Sequence, residues 1–163
     1  MGELAARLAN PFAGPIEQVL NAFAAPPPPG ELTRQRALVD HAFGQASLPA
    51  VLAELDRADG PVARHLLAAL GKRSPLALAV THAAIRRARS ARTIEGAMNL
   101  EYVPVCRLME APDAAEGVRA LLVDRDDRPR WSPDSLEEVD AIMVESMFAP
   151  MLPGEAMRLI PPA

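Results

Sequence analysis

Apolar residues recur at helical spacing along nearly the whole chain, but proline and glycine cut each run short. Proline removes a backbone donor and clashes with the preceding turn, and glycine makes the helical state entropically expensive. The runs that survive are too short to hold themselves helical in water, so they must pack against one another. Their core is built almost without rings, because aromatic residues make up only 4% of a chain that is 50% hydrophobic. Ala, Leu, Val and Met remain. Ala and Leu favour helix, whereas the strand formers Ile, Thr, Tyr and Phe are scarce. The expectation is an all-α fold, with a single helical domain over residues 1–150 and a Pro- and Met-rich tail over 151–163.

In order, residues 2–9 read as a short helix stopped by Asn10-Pro11, and Gly14-Pro15 opens a second with Ile16, Val19, Leu20 and Phe23 on one face. Pro26 to Pro29 form a semi-rigid connector. From Leu32 to Phe43, Leu38, Val39, Ala42 and Phe43 share a face, and Gly44 ends the element. Ser47 stands as N-cap of a helix through Val51, Leu52 and Leu55. Pro61 restarts the pattern with Val62, Leu66, Leu67 and Leu70, and Gly71 takes the C-cap.

Ser74-Pro75 opens a longer helix to about Arg89, with Leu76, Val80, Ala83, Ala84 and Ile85 as its apolar side. Thr93 starts another, to about Glu110, carrying Ile94, Ala97, Met98, Tyr102, Val105 and Met109. Pro104 lies inside this pattern and should kink or split it. Asp113 and Glu116 have the spacing of a reciprocal capping box at the start of a helix to about Val123. A mixed-charge exposed loop, Asp124 to Arg128, follows. Ser135 and Glu138 repeat the capping-box spacing ahead of a last helix with Ile142, Met143, Met147 and Phe148.

A net charge of -4 gives no electrostatic reason for a nucleic-acid partner or an anionic membrane. No apolar run has the length to cross a bilayer, and the N-terminus lacks the continuous apolar core of a signal peptide. The single cysteine, Cys106, excludes an intrachain disulfide and fits a reducing compartment, so the cytoplasm is expected. His41, His65 and His82 sit at no metal-ligand spacing and read as helix histidines, with no metal site. Cys106 reads as a small packing residue.

The basic cluster Arg86, Arg87, Arg89 and Arg92 suits the C-terminal end of a helix dipole, with a CoA phosphate as the weaker alternative. Glu101 and Glu116 are the carboxylates to weigh for acid–base work, since burial beside an apolar face would raise their pKa. A cap for Glu116 and an arginine pair for Glu101 are the stronger readings. No Gly-rich oxyanion-type loop or Ser/His/Asp set accompanies them. Composition and spacing therefore assign no catalytic residue and no cofactor.

Four separated stretches carry a resemblance. They are Ala-Phe-Ala-Ala-Pro-Pro-Pro-Pro-Gly-Glu-Leu at 22–32, Lys72-Arg73-Ser74-Pro75-Leu76-Ala77-Leu78, Leu100-Glu101-Tyr102, and the run from Glu116-Gly117-Val118-Arg119 to Pro129-Arg130-Trp131. In this order they resemble the C-terminal part of the 3-hydroxyisobutyryl-CoA hydrolase family, within the crotonase (enoyl-CoA hydratase/isomerase) superfamily. The resemblance implies the helical C-terminal region of a crotonase-like protein, lacking the ββα spiral core. That core would hold the oxyanion-hole amides and catalytic carboxylates, and no residue of this sequence matches them. The helical half would cover the acyl pocket and contribute to CoA binding and subunit contacts.

By position in the signature, Arg125 and Arg128 would approach CoA phosphates, with Trp131 packing beneath them. Two departures stand out. Pro112-Asp113-Ala114 replaces the family's His-Asp-Phe, removing an aromatic wall, and Pro104 replaces a helix-compatible residue. The resemblance implies acyl-CoA thioester hydrolase or hydratase chemistry, in valine breakdown, performed only with the missing catalytic half. Acyl-CoA or coenzyme A, and a catalytic crotonase-like half or a second copy, would be the partners. The alternative is a non-catalytic helical module for interaction or oligomerisation. Catalysis by this chain alone through Glu101 or Glu116 is the disfavoured third reading.

Overall fold

The computed structural model describes residues 2–10, 13–25 and 28–150, without the side chains of 31 and 32. The tail expected over 151–163 and the first half of the Pro26–Pro29 connector lie outside the described residues. Among these residues every regular element is helical, as the scarcity of strand formers requires. Contacts divide the chain into two units between Ala37 and Leu38.

In the first unit α1 (Gly2–Leu8) packs on α2 (Ile16–Phe23). Gly14 lies in the segment between them at a φ of 90°, a conformation that costs glycine little. The Arg7 guanidinium stands 5.8 Å from the centre of the Phe23 ring. The single helix expected from Leu32 to Phe43 is instead α3 (Glu31–Arg34) and α4 (Arg36–Phe43), broken at Gln35.

The second unit is built on α5 (Leu48–Arg57), α6 (Pro61–Leu70) and α7 (Pro75–Ala88). Leu48, Val51 and Leu55 share one face of α5 and are buried with Ala42 of α4 and Ala63 of α6. Leu38, Leu66, Leu67, Leu70 and Leu78 pack around them. Gly44 ends α4 for a steric reason: a Cβ there would stand 2.6 Å from the Asp40 carbonyl oxygen. The serine N-caps read from sequence form, and Thr93, read only as a helix start, caps its helix as well. The Ser47 hydroxyl accepts from Ala50 N at 3.4 Å, that of Ser74 from Ala77 N at 3.1 Å, and that of Thr93 from Gly96 N at 3.1 Å.

The next helix, α8 (Ile94–Glu110), packs on α7 and runs unbroken through the buried Pro104, so the expected split does not occur. Its burial also differs from expectation. Ile94, Met98, Val105 and Met109, the presumed core side, are 74, 41, 55 and 69% exposed, and Ile85 of α7 is 58% exposed. Helical spacing identifies an apolar face but not what covers it.

After α8 come α9 (Pro112–Val118), one π turn (Arg119–Val123), a 3₁₀ turn (Leu136–Glu138) and α10 (Ala141–Ser146). Helical structure reaches Val123 as expected, but neither capping box forms. Proline already occupies the first position of α9, and Asp113 reaches across to accept from Ser132 N at 2.8 Å. The last helix starts later, where Asp140 caps it by accepting from Met143 N at 2.7 Å. Two arginines fasten this end. Arg87 pairs with Glu145 and lies 3.7 Å from the centre of the Phe148 ring, and Arg107 donates to the Ala149 and Pro150 carbonyls at 3.2 and 3.3 Å.

The loop over residues 124–130 is gathered on Arg119. Its Nε and Nη2 donate to the two Glu116 oxygens at 2.9 and 2.8 Å. Nη1 reaches Asp124 and, at 2.9 Å, Asp126, while Nη2 also donates to the Arg128 carbonyl at 3.1 Å. Glu116 Oε1 accepts from Arg130 N at 2.7 Å. These bonds hold Arg125 and Asp127 at φ values of 56° and 51°, which non-glycine residues rarely adopt. Asp127 is held further by Lys72, at 3.1 Å. The Arg119 guanidinium and the Arg130 amide pull the Glu116 carboxyl down from 4.5 to about 2. Arg119 likewise lowers Asp126, and its three carboxylate partners raise its own pKa.

Truncating Leu55 to Ala is expected to destabilise the second unit by about 2–5 kcal/mol, because the buried site cannot collapse fully. Urea denaturation checks this; a change under about 0.5 kcal/mol, the range of ordinary surface substitutions, would mean the α5 face is not the core. The depressed Glu116 value fixes a pH window. Its stabilisation is complete above the ordinary carboxyl value of 4.5 and is lost as the pH falls toward about 2. Glu116→Gln is therefore expected to flatten the fall in thermal midpoint across that window, and parallel curves would contradict the pairing.

Candidate functional site

Of the three residues proposed for CoA, Arg125 and Arg128 lie on the loop that Arg119 organises and Trp131 follows directly at its end. Arg125 and Arg128 are exposed, as phosphate ligands must be. The Arg125 side chain bends back to donate from Nε to the Leu122 carbonyl at 3.4 Å. The Arg128 backbone is fixed at both ends, its N–H on Asp126 at 2.9 Å and its carbonyl on Arg119. Trp131 is half-buried and covers α9 at Gly117, where an added Cβ would stand 3.3 Å from the indole ring. The indole thus seats the end of the loop on the helix, and glycine permits the close approach.

The same geometry decides the acid–base candidates. Glu116 is held as an anion far below the value a general acid requires near neutral pH, and its two oxygens are committed to Arg119 and the Arg130 amide. Glu101 is exposed on α8. It stands at an apolar groove of about 300 Å³ between α7 and α8, lined also by Val80, Thr81, Ala84, Ile85, Ala88, Pro104, Val105 and Leu108. Neither carboxylate meets a nucleophile–base pair among the described residues.

Arg119 is the residue that sequence reasoning missed. The spacing of Glu116 and Arg119 at i and i+3 was the available signal. The basic cluster after α7 also has structural work: Arg86 donates to the Gln45 carbonyl at 3.4 Å and Arg87 fastens Glu145 and Phe148. No group of three or more potential metal ligands occurs among the described residues. No described helix is long and apolar enough to cross a membrane.

With this geometry in place, the chain can be compared with known proteins. The enoyl-CoA hydratase/isomerase family model matches residues 1–148. A mitochondrial 3-hydroxyisobutyryl-CoA hydrolase from Gallus gallus is 33% identical over 115 residues, covering 69% of this chain and 29% of the relative. One from Dictyostelium discoideum is 28% identical over 121 residues, covering 74% and 32%. The chain therefore spans about a third of the length of the curated relatives it matches. A crystal structure of a carnitinyl-CoA dehydratase from Mycobacterium thermoresistibile superposes with a TM-score of 0.75 at 31% identity, over 93% of this chain and 43% of that one. A chain matched over nearly its whole length, with only helical regular elements among its described residues and superposable on under half of a larger relative, belongs to the enoyl-CoA hydratase/isomerase family of the crotonase superfamily and corresponds to its helical C-terminal half.

Proposed function

We propose that this chain is the helical C-terminal part of a 3-hydroxyisobutyryl-CoA hydrolase-like or enoyl-CoA hydratase-like protein, acting on acyl-CoA thioesters only with a catalytic half. One observation carries the reading: apolar side chains that a self-sufficient helical domain would cover stand open to water. Ile85, Ile94, Met98, Val105 and Met109 do so on α7 and α8, and Val118, Leu121, Leu122 and Val123 around the π turn. Covering apolar surface is favourable by roughly 25 cal/mol per Å², so a partner that seals these faces gains stability.

In this division of labour the catalytic half supplies the oxyanion donors and the acid–base carboxylates. The helical half closes the acyl pocket and offers cations to CoA. A guanidinium presents several donors in a fixed plane and suits phosphate better than an ammonium. Arg125 and Arg128 are the residues for this role, because both are exposed on a loop whose backbone is already fixed. Ordering that loop beforehand lowers the entropy lost when CoA binds. The hydrolysis would belong to valine breakdown.

The isolated chain is expected to release no free thiol from 3-hydroxyisobutyryl-CoA above a CoA-only blank. Turnover that disappears in Glu116→Gln would overturn the assignment of the chemistry to another half. With the catalytic half present, replacing Arg125 and Arg128 together by Ala is expected to raise KM about tenfold and leave kcat unchanged, as for loss of a charge-assisted phosphate contact. An unchanged KM would remove both arginines from the CoA site.

A further inference from the structure

Lys72 stands on the short turn between α6 and α7. That turn is held on both sides. Gly71 N donates to the Leu67 carbonyl at 2.8 Å, Arg73 N to the Leu70 carbonyl at 2.9 Å, and Ser74 is buried as the cap of α7. From here Lys72 Nζ donates to Asp127 Oδ2 at 3.1 Å, a partner 55 positions along the chain. Asp127 is itself placed by the loop: its N–H donates to the Ala120 carbonyl at 3.2 Å, and its φ is 51°. It lies between Arg125 and Arg128. The fold therefore delivers a third cation, from a distant turn, to the loop that carries those two arginines.

The loop carboxylates divide between two cations. Asp124 and Asp126 are spent on Arg119, whereas Asp127 is paired with Lys72. Both members of this last pair are exposed, each side chain at 68%, so water weakens it and an incoming anion can reach it. An ammonium donates more than one hydrogen bond, and among the described residues Lys72 spends one on Asp127. A phosphate group carries more negative charge and more acceptor oxygens than a carboxylate, so it competes well for the same ammonium.

We infer that Lys72 is a further ligand for the phosphate groups of coenzyme A, with Asp127 as the internal anion that occupies it until CoA binds. The inference rests on the CoA role proposed for Arg125 and Arg128 and adds a cation from another part of the fold. It assigns opposite effects to the two members of one ion pair. Removing the Lys72 charge takes away a ligand, and removing the Asp127 charge takes away a competitor.

The test is equilibrium dialysis of coenzyme A against the full chain at low ionic strength, where exposed charges are least screened. Lys72→Gln is expected to weaken binding several-fold, as is Arg125→Ala with Arg128→Ala. Asp127→Asn is expected to tighten it, and asparagine tolerates the left-handed backbone at that position. Lys72→Gln and Asp127→Asn break the same pair, so weakening in both would show that Lys72 only steadies the loop, and would overturn the inference. An unchanged affinity in Lys72→Gln, with a loss in the double arginine variant, would overturn it and leave the arginine reading standing. Absence of saturable binding by the parent chain would overturn both. Dephospho-CoA then locates a supported contact. A Lys72→Gln effect that vanishes with it assigns Lys72 to the 3′-phosphate, and one that persists assigns it to the diphosphate.

Discussion

The guanidinium of Arg119 is the interaction on which the 112–132 region depends. It joins Glu116 on its own helix to Asp124, Asp126 and the Arg128 carbonyl in the loop beyond. Without that cation, three carboxylates would face one another across a short loop. The loop also contains two non-glycine residues in left-handed conformations, which persist only where surrounding bonds over-determine them. The π turn belongs to the same construction: Asp124 N returns to the Arg119 carbonyl at 2.8 Å, widening the end of the helix so that its last residues feed the loop. Trp131 against Gly117 and Ser132 on Asp113 complete the closure. The candidate phosphate ligands thus ride on a backbone held from within the chain.

Much of the fold was legible because the signals are local. Ser47, Ser74 and Thr93 cap helices by reaching three residues ahead, and that reach is written in the spacing alone. The same spacing misled at Asp113 and Glu116. Each found a partner far along the chain, at Ser132 N and Arg130 N, and a partner fixed by loop closure leaves no mark in a short window. The end of the chain repeats the lesson. Ser135 looks like a cap but makes no such bond, and Asp140, just before Ala141-Ile142-Met143-Val144, carried an equally good signal that was passed over.

Burial was less legible than helicity. The apolar stripe of α8 has the period of a core helix, yet none of its residues is buried and the one buried residue of the helix is Pro104. A hydrophobic period reports that a face will be covered, and cannot say whether the cover is intramolecular. Under the proposal that a catalytic half completes the molecule, that half would be the cover for this face. Candidate site residues came from resemblance, while the geometry that holds their loop, centred on Arg119, came from structure.

The central claim is that this helical half completes acyl-CoA chemistry whose reacting groups lie on another polypeptide segment. Its most direct test mixes the purified chain with a separately produced catalytic half of a 3-hydroxyisobutyryl-CoA hydrolase and follows free-thiol release from 3-hydroxyisobutyryl-CoA. Turnover by the mixture well above the sum of the two parts is the predicted result. Activity of the catalytic half that is unchanged by a saturating excess of the helical chain would contradict it and leave the helical interaction module as the better description.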